Sequence, residues 1–149
     1  MRPTERLLDQ LNRAFGGEAW HGPALRNLLE GVTDEQAKSH PIRSAHSILE
    51  LVVHVGTWND VVARRVGGTV VEGNSVDDWA DVTKISWKSA VERLEQAQSK
   101  LSDAVARLSN EDLEKPIAGE KRSKFSEIAG ALQHTVYHSG QIALLKKSL

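Results

Sequence analysis

Cysteine is absent from this 149-residue chain. That excludes a disulfide framework and any thiolate metal site, so a metal here has to use His, Asp or Glu. A surplus of charge is missing too: the formal net charge is -1 and the sequence pI about 6.6. Nothing in that balance favours nucleic acid or an anionic membrane as a partner. No apolar run reaches transmembrane length. Met1-Arg2-Pro3-Thr4-Glu5 is too polar for a secretory signal, so the cytoplasm is the expected location. Four prolines and one tyrosine leave a chain rich in Ala, Leu, Glu, Lys and Gln, which favours helix. The length suits one domain over residues 1–149, without internal repeats or low-complexity tracts.

The apolar periodicity draws four long helices. The first opens at Pro3-Thr4-Glu5, with Thr4 as its expected N-cap, and carries Leu7, Leu8, Leu11, Ala14 and Phe15 to a stop at Gly16-Gly17. Pro23 is expected at the first position of a short helix that ends at Gly31, and Thr33 caps one more short turn before His40-Pro41. Ser44 or Ser47 starts the second long helix, which runs to Val66. Residues 67–82 form a loop long enough to be functional. The third long helix is expected over Thr83 to Leu108. Ser123 or Ser126 caps the fourth, which continues to the C-terminus. Four amphipathic helices without a convincing strand indicate an all-α four-helix bundle, with short extra helices in its first connection.

His134 and His138 stand four residues apart in the last helix. Their side chains share a face one turn apart, a good geometry for a two-tooth metal clamp that needs a third ligand. His138 lies on the stripe of Ala131, Ile142 and Leu145, and His134 lies at its edge. At ~100° per residue, Leu51, Trp58, Val61 and Val62 fall within roughly 80° of His54, so His54 points into the bundle from the second helix. Three neutral imidazoles would leave the full charge on a divalent ion and positions open to water or substrate. The same residues also fit a plainer reading. A His-x-x-x-His pair is common on solvated helix faces, and a lone His on an apolar face is usually a satisfied core group.

Around these three, Glu50 is a candidate base or an acceptor for an imidazole N–H, and Gln141 a candidate to orient water or substrate or to cap a buried polar group. Gly140, costly inside a helix, suggests a close approach of helix or ligand. Trp58 is a candidate pocket wall or plain core packing, and Tyr137 a candidate to supply a hydroxyl at the pocket or a core-edge side chain. His46, two turns before His54, is a candidate for the pocket mouth, and His40 reads as surface. Trp20-His21-Gly22 is either a structural turn or a segment that reaches over the open end of the bundle, with His21 then a second candidate base.

Two stretches carry a family resemblance. Ser47-Ile48-Leu49-Glu50-Leu51-Val52-Val53-His54-Val55-Gly56-Thr57-Trp58 resembles the second-helix signature of the DinB-like (YfiT-like) superfamily. Leu132 to Ile142, with its His-x-x-x-His-x-Gly-Gln-Ile core, resembles the C-terminal signature of the same superfamily. The resemblance implies up-down-down-up winding and a divalent metal held by His54, His134 and His138; three imidazoles suit zinc and nickel alike. It also implies a homodimer acting on a small molecule. Characterised members include thiol transferases that use bacillithiol or mycothiol and a mycothiol-dependent maleylpyruvate isomerase. The expected activity is therefore metal-dependent thiol S-transfer or hydrolysis. The alternative is a non-catalytic metal or small-ligand binding protein of the stress-factor kind. Trp-His-Gly segments like residues 20–22 occur in a subset of these proteins.

Overall fold

A computed structural model describes residues 1–149. It is all-helical: α1 (Pro3–Gly16), α2 (Leu25–Leu29), α3 (Asp34–Lys38), α4 (Ile48–Val66), α5 (Trp87–Ala106) and α6 (Lys124–Lys147). The four long helices are the expected ones, and α2 and α3 are the short extras of the first connection. No helix is long and apolar enough to cross a membrane.

Local chemistry sets the helix ends. Ser47, not Ser44, caps α4: its hydroxyl accepts from Glu50 N–H at 3.1 Å, and the Glu50 carboxylate accepts from Ser47 N–H at 2.7 Å. This reciprocal pair is a capping box. Ser123 caps α6. Three expectations need correction. Arg2, not Thr4, precedes α1; Thr4 is buried inside the helix, with its hydroxyl 3.1 Å from the Asn110 side-chain oxygen. Pro23 stands outside α2, which follows Ala24. The helix expected from Thr83 starts at Trp87, because the Ser86 hydroxyl caps it, and it ends at Ala106.

Cross-helix pairs give the winding. Along α4 and α5 numbers rise together: Gly56 faces Leu94, and Asp60 pairs with Lys100 at 2.8 Å. These two helices are parallel, which the long 67–86 crossover allows. Between α1 and α5 numbers run oppositely, Thr4 meeting Asn110 and Asn12 meeting Ser102. On α4 and α6 they run oppositely as well, His54 meeting His134 and Arg65 meeting Glu127. The result is up-down-down-up. Gly56 is what lets α4 and α5 close, since a Cβ there would stand 3.4 Å from the Leu94 Cα. Gly140, expected to serve a close approach, has nothing within 4 Å of a Cβ position.

Two apolar clusters fill the interior. One gathers Leu25, Ile48, Leu49, Val52, Leu94 and Ile142; the other gathers Leu7, Val62, Val66, Leu101, Val105 and Ile128. Between them along α4, α5 and α6 runs a polar belt of buried residues: Asn59, Gln98, Thr135, His138 and Ser139. Asn59 donates to Gln98 at 3.1 Å, while its own oxygen has no partner.

Candidate metal centre

His54 sits on the second turn of α4, and His134 and His138 on successive turns of α6. His54 and His138 are buried and His134 is half-buried. One ring nitrogen from each lies within 4.8 Å of the others. The Nε2 atoms of His54 and His134 are 2.8 Å apart, and those of His138 and His134 are 3.0 Å apart.

The outward nitrogens fix what the inward ones present. His54 Nδ1 stands 2.7 Å from the main-chain carbonyl of Asp78, which can only accept, so this nitrogen carries the proton. His138 Nδ1 donates to the Gln141 side-chain oxygen at 2.6 Å. Both rings therefore turn bare Nε2 lone pairs toward His134, whose own Nε2 has only those two neighbours. Lone pairs at such separations repel unless a proton or a cation stands among them. The donor set, imidazole nitrogen on three sides with two tautomers set from outside, fits a divalent cation. Burial, and then the neighbouring His138 and His54, push His134 down to about 4. Burial also lowers His138, helped by His54 and His46 and opposed by the Gln141 hydrogen bond. Both shifts favour the neutral ring at His134 and His138, the form a metal needs.

A cleft of about 420 Å³ opens beside His54 and His134, walled by Trp58, Asp78, Arg122 and Gly130. Clefts of about 590 and 750 Å³ elsewhere on the surface hold no imidazole. Donor chemistry rather than volume marks the site. The floor is the buried Arg65–Glu127 pair at 2.9 Å, with Arg122 on the other carboxylate oxygen at 2.7 Å.

Several candidates move from their expected places. Glu50 does not reach the triad: its carboxylate is held by Ser47 N–H and takes His40 at 3.1 Å and His46 at 3.6 Å. Gln141 engages His138 through its side-chain oxygen, the capping alternative. Trp20 and His21 are exposed and line a separate cleft between α1 and α6 with Tyr137, away from the open side of the triad. The short Ala19–Gly22 bridge turns them outward. Tyr137 is exposed, yet its ring stands edge-on to His138 at 5.0 Å. Trp58 does wall the cleft, and its indole N–H donates to the Asp78 carboxylate at 2.7 Å. His46 lies ahead of α4 at the approach to the triad and stacks on Trp79. His40 is exposed. Missed from the sequence were Asp78 and Trp79. Trp79 lies flat on His54 with 3.9 Å between centroids. An aromatic and an acid side by side in a long loop were the only signal.

A protein-family model described as the DinB superfamily matches residues 19–142, the greater part of the chain. No curated protein and no solved structure is significantly similar to it.

Proposed function

This chain belongs to the DinB superfamily, and from that premise we propose that His54, His134 and His138 hold a catalytic divalent metal ion. The reading extends to the reaction: transfer of a low-molecular-weight thiol to a small-molecule acceptor, or hydrolysis, in the cytoplasm. The observation that carries it is the pair of bare Nε2 atoms aimed at His134 from 2.8 and 3.0 Å, each fixed by a partner on its far side.

Bound zinc or nickel would act as a Lewis acid and lower the pKa of a thiol or water brought to it. The chain's own groups do the rest. The Asp78 carbonyl and Gln141 hold two rings in the ligating tautomer. Trp58 and Trp79 cover the site with apolar surface and exclude water from one side. Arg122 stands at the cleft wall with its charge matched by Glu127 and Glu120. Glu50 is committed to the α4 cap, and Glu127, in the same cleft, to Arg65 and Arg122, so the reading asks for a metal-activated nucleophile.

That same commitment of Glu50 favours a second reading, a non-catalytic protein that sequesters a metal or small ligand. One series of measurements separates the readings. Metal-free protein is loaded with Zn²⁺ or Ni²⁺, stoichiometry is measured by equilibrium dialysis, and thiol conjugation and ester or amide hydrolysis are assayed with and without metal. One equivalent per chain with metal-dependent turnover supports the enzyme. One equivalent without turnover of any thiol or hydrolytic substrate leaves the binding protein. Unchanged affinity in His138→Ala would sink both.

A further inference from the structure

We propose that Asp78 and Trp79 are positioning residues for the metal centre, a strap laid across His54 by the 67–86 crossover. This rests on the reading of His54, His134 and His138 as metal ligands. The crossover only has to carry the chain from the end of α4 to the start of α5, parallel to it. It is nonetheless pinned at three places along α4. Arg65 donates to the Val71 carbonyl from Nε at 3.0 Å and from Nη2 at 2.7 Å. Trp58 Nε1 donates to the Asp78 carboxylate at 2.7 Å. His54 Nδ1 donates to the Asp78 carbonyl at 2.7 Å, with the Asp78 carboxylate 3.4 Å away.

Trp79 adds a second constraint. Its indole lies 3.5 Å from the His46 ring and 3.9 Å from the His54 ring, with interplanar angles of 4° and 2°. Two rings so close to one centroid cannot share a face, so the indole is sandwiched between them. The hydrogen bond to Asp78 chooses the tautomer of His54, and the stacked indole fixes the plane of its ring. Together they set the direction of the Nε2 lone pair, which outer partners of metal-ligating histidines commonly do. Both side chains are partly exposed, 55% for Asp78 and 37% for Trp79. Neither is part of the core clusters, so their contribution to the centre is separable from folding.

The test is Co²⁺ titration of the full chain, read by the cobalt ligand-field spectrum and by competition with a chelator, beside the thermal midpoint of each metal-free protein. Trp79→Ala is expected to weaken Co²⁺ about 10–100-fold and to change the visible spectrum; Asp78→Ala, which keeps the main-chain carbonyl on His54 but releases it from its Trp58 anchor, is expected to do the same to a smaller degree, with metal-free midpoints of both close to that of the parent. Trp79→Phe and Asp78→Asn, which keep a stacking ring and an acceptor for Trp58, are expected to recover most of the affinity. Parental affinity and spectrum in both alanine variants overturns the strap. So does a loss of affinity that simply follows a fallen midpoint and that Trp79→Phe does not rescue. A parent protein that takes up no Co²⁺ overturns the triad reading itself, and the strap with it.

Discussion

The side-chain oxygen of Gln141 stands 2.6 Å from Nδ1 of His138, three residues back along α6. His54 gets the same service from a main-chain carbonyl 24 residues away. One ligand is thus oriented from within its own helix and the other from a distant loop. Gln141→Leu removes the first orienting bond with little effect on packing, since Gln141 is half-buried. Metal affinity is expected to fall about 10–100-fold, while Gln141→Glu, still an acceptor, keeps it. Isothermal titration with Zn²⁺ checks both.

The metal-free protein is expected to lose stability on acidification. His134 is held down to about 4, from an ordinary 6.5, by burial first and by His138 and His54 next. Above 6.5 the ring is neutral in native and unfolded chains alike, and stability does not depend on it. As pH falls from 6.5 toward about 4, the unfolded chain takes up a proton that the native one resists, so stability declines through that window and the slope ends below it. Urea midpoints across the window, with a chelator present, should show the decline, and His134→Gln should flatten it.

Arg65 and Glu127 form a nearly dry ion pair, with side chains 5% and 6% exposed. Breaking such a pair from one side leaves an uncompensated charge and typically costs about 3–5 kcal/mol. Glu127→Leu strands Arg65 beside Glu120 at 3.7 Å and is expected to lie in that range by urea denaturation. Arg65→Met should cost less, because Arg122 still neutralises Glu127 at 2.7 Å. The double variant should recover much of the loss.

Two helical glycines should respond oppositely. Gly140→Ala meets open space and is expected to gain about 0.5–1 kcal/mol from reduced backbone entropy of the unfolded chain. Gly56→Leu drives a side chain into Leu94 and should cost about 1–3 kcal/mol by overpacking. Thermal melts of the two variants against the parent read both signs.

The bundle was legible because the apolar stripe is clear in α1, α4 and α5, and the triad because His54 and His138 fall at inward positions with His134 at the edge of the same face. Helix ends were harder. Ser47-Ile48-Leu49-Glu50 carries the capping-box pattern, and reading it would have placed the start of α4 and removed Glu50 from the site. Trp20 and His21 were misplaced because the direction of a loop is set by turns that periodicity does not encode. Asp78 reaches His54 through a main-chain carbonyl, which any residue at that position could supply, so no side-chain pattern marks it. The stacking of His46 on Trp79 depends on how a 20-residue crossover returns to α4, a tertiary matter.

His134 and His138 are neighbours on one helix, but His54 is 80 positions from His134 in sequence. An unfolded chain keeps at most the local pair, and only folding closes the long loop that brings the third ring home. The entropy of that closure grows slowly, as about (3/2)RT ln n, so an ion grasped by all three would act as a cross-link between α4 and α6. A chain without cysteine would thereby have a staple that opens to acid or a chelator and is indifferent to reductants.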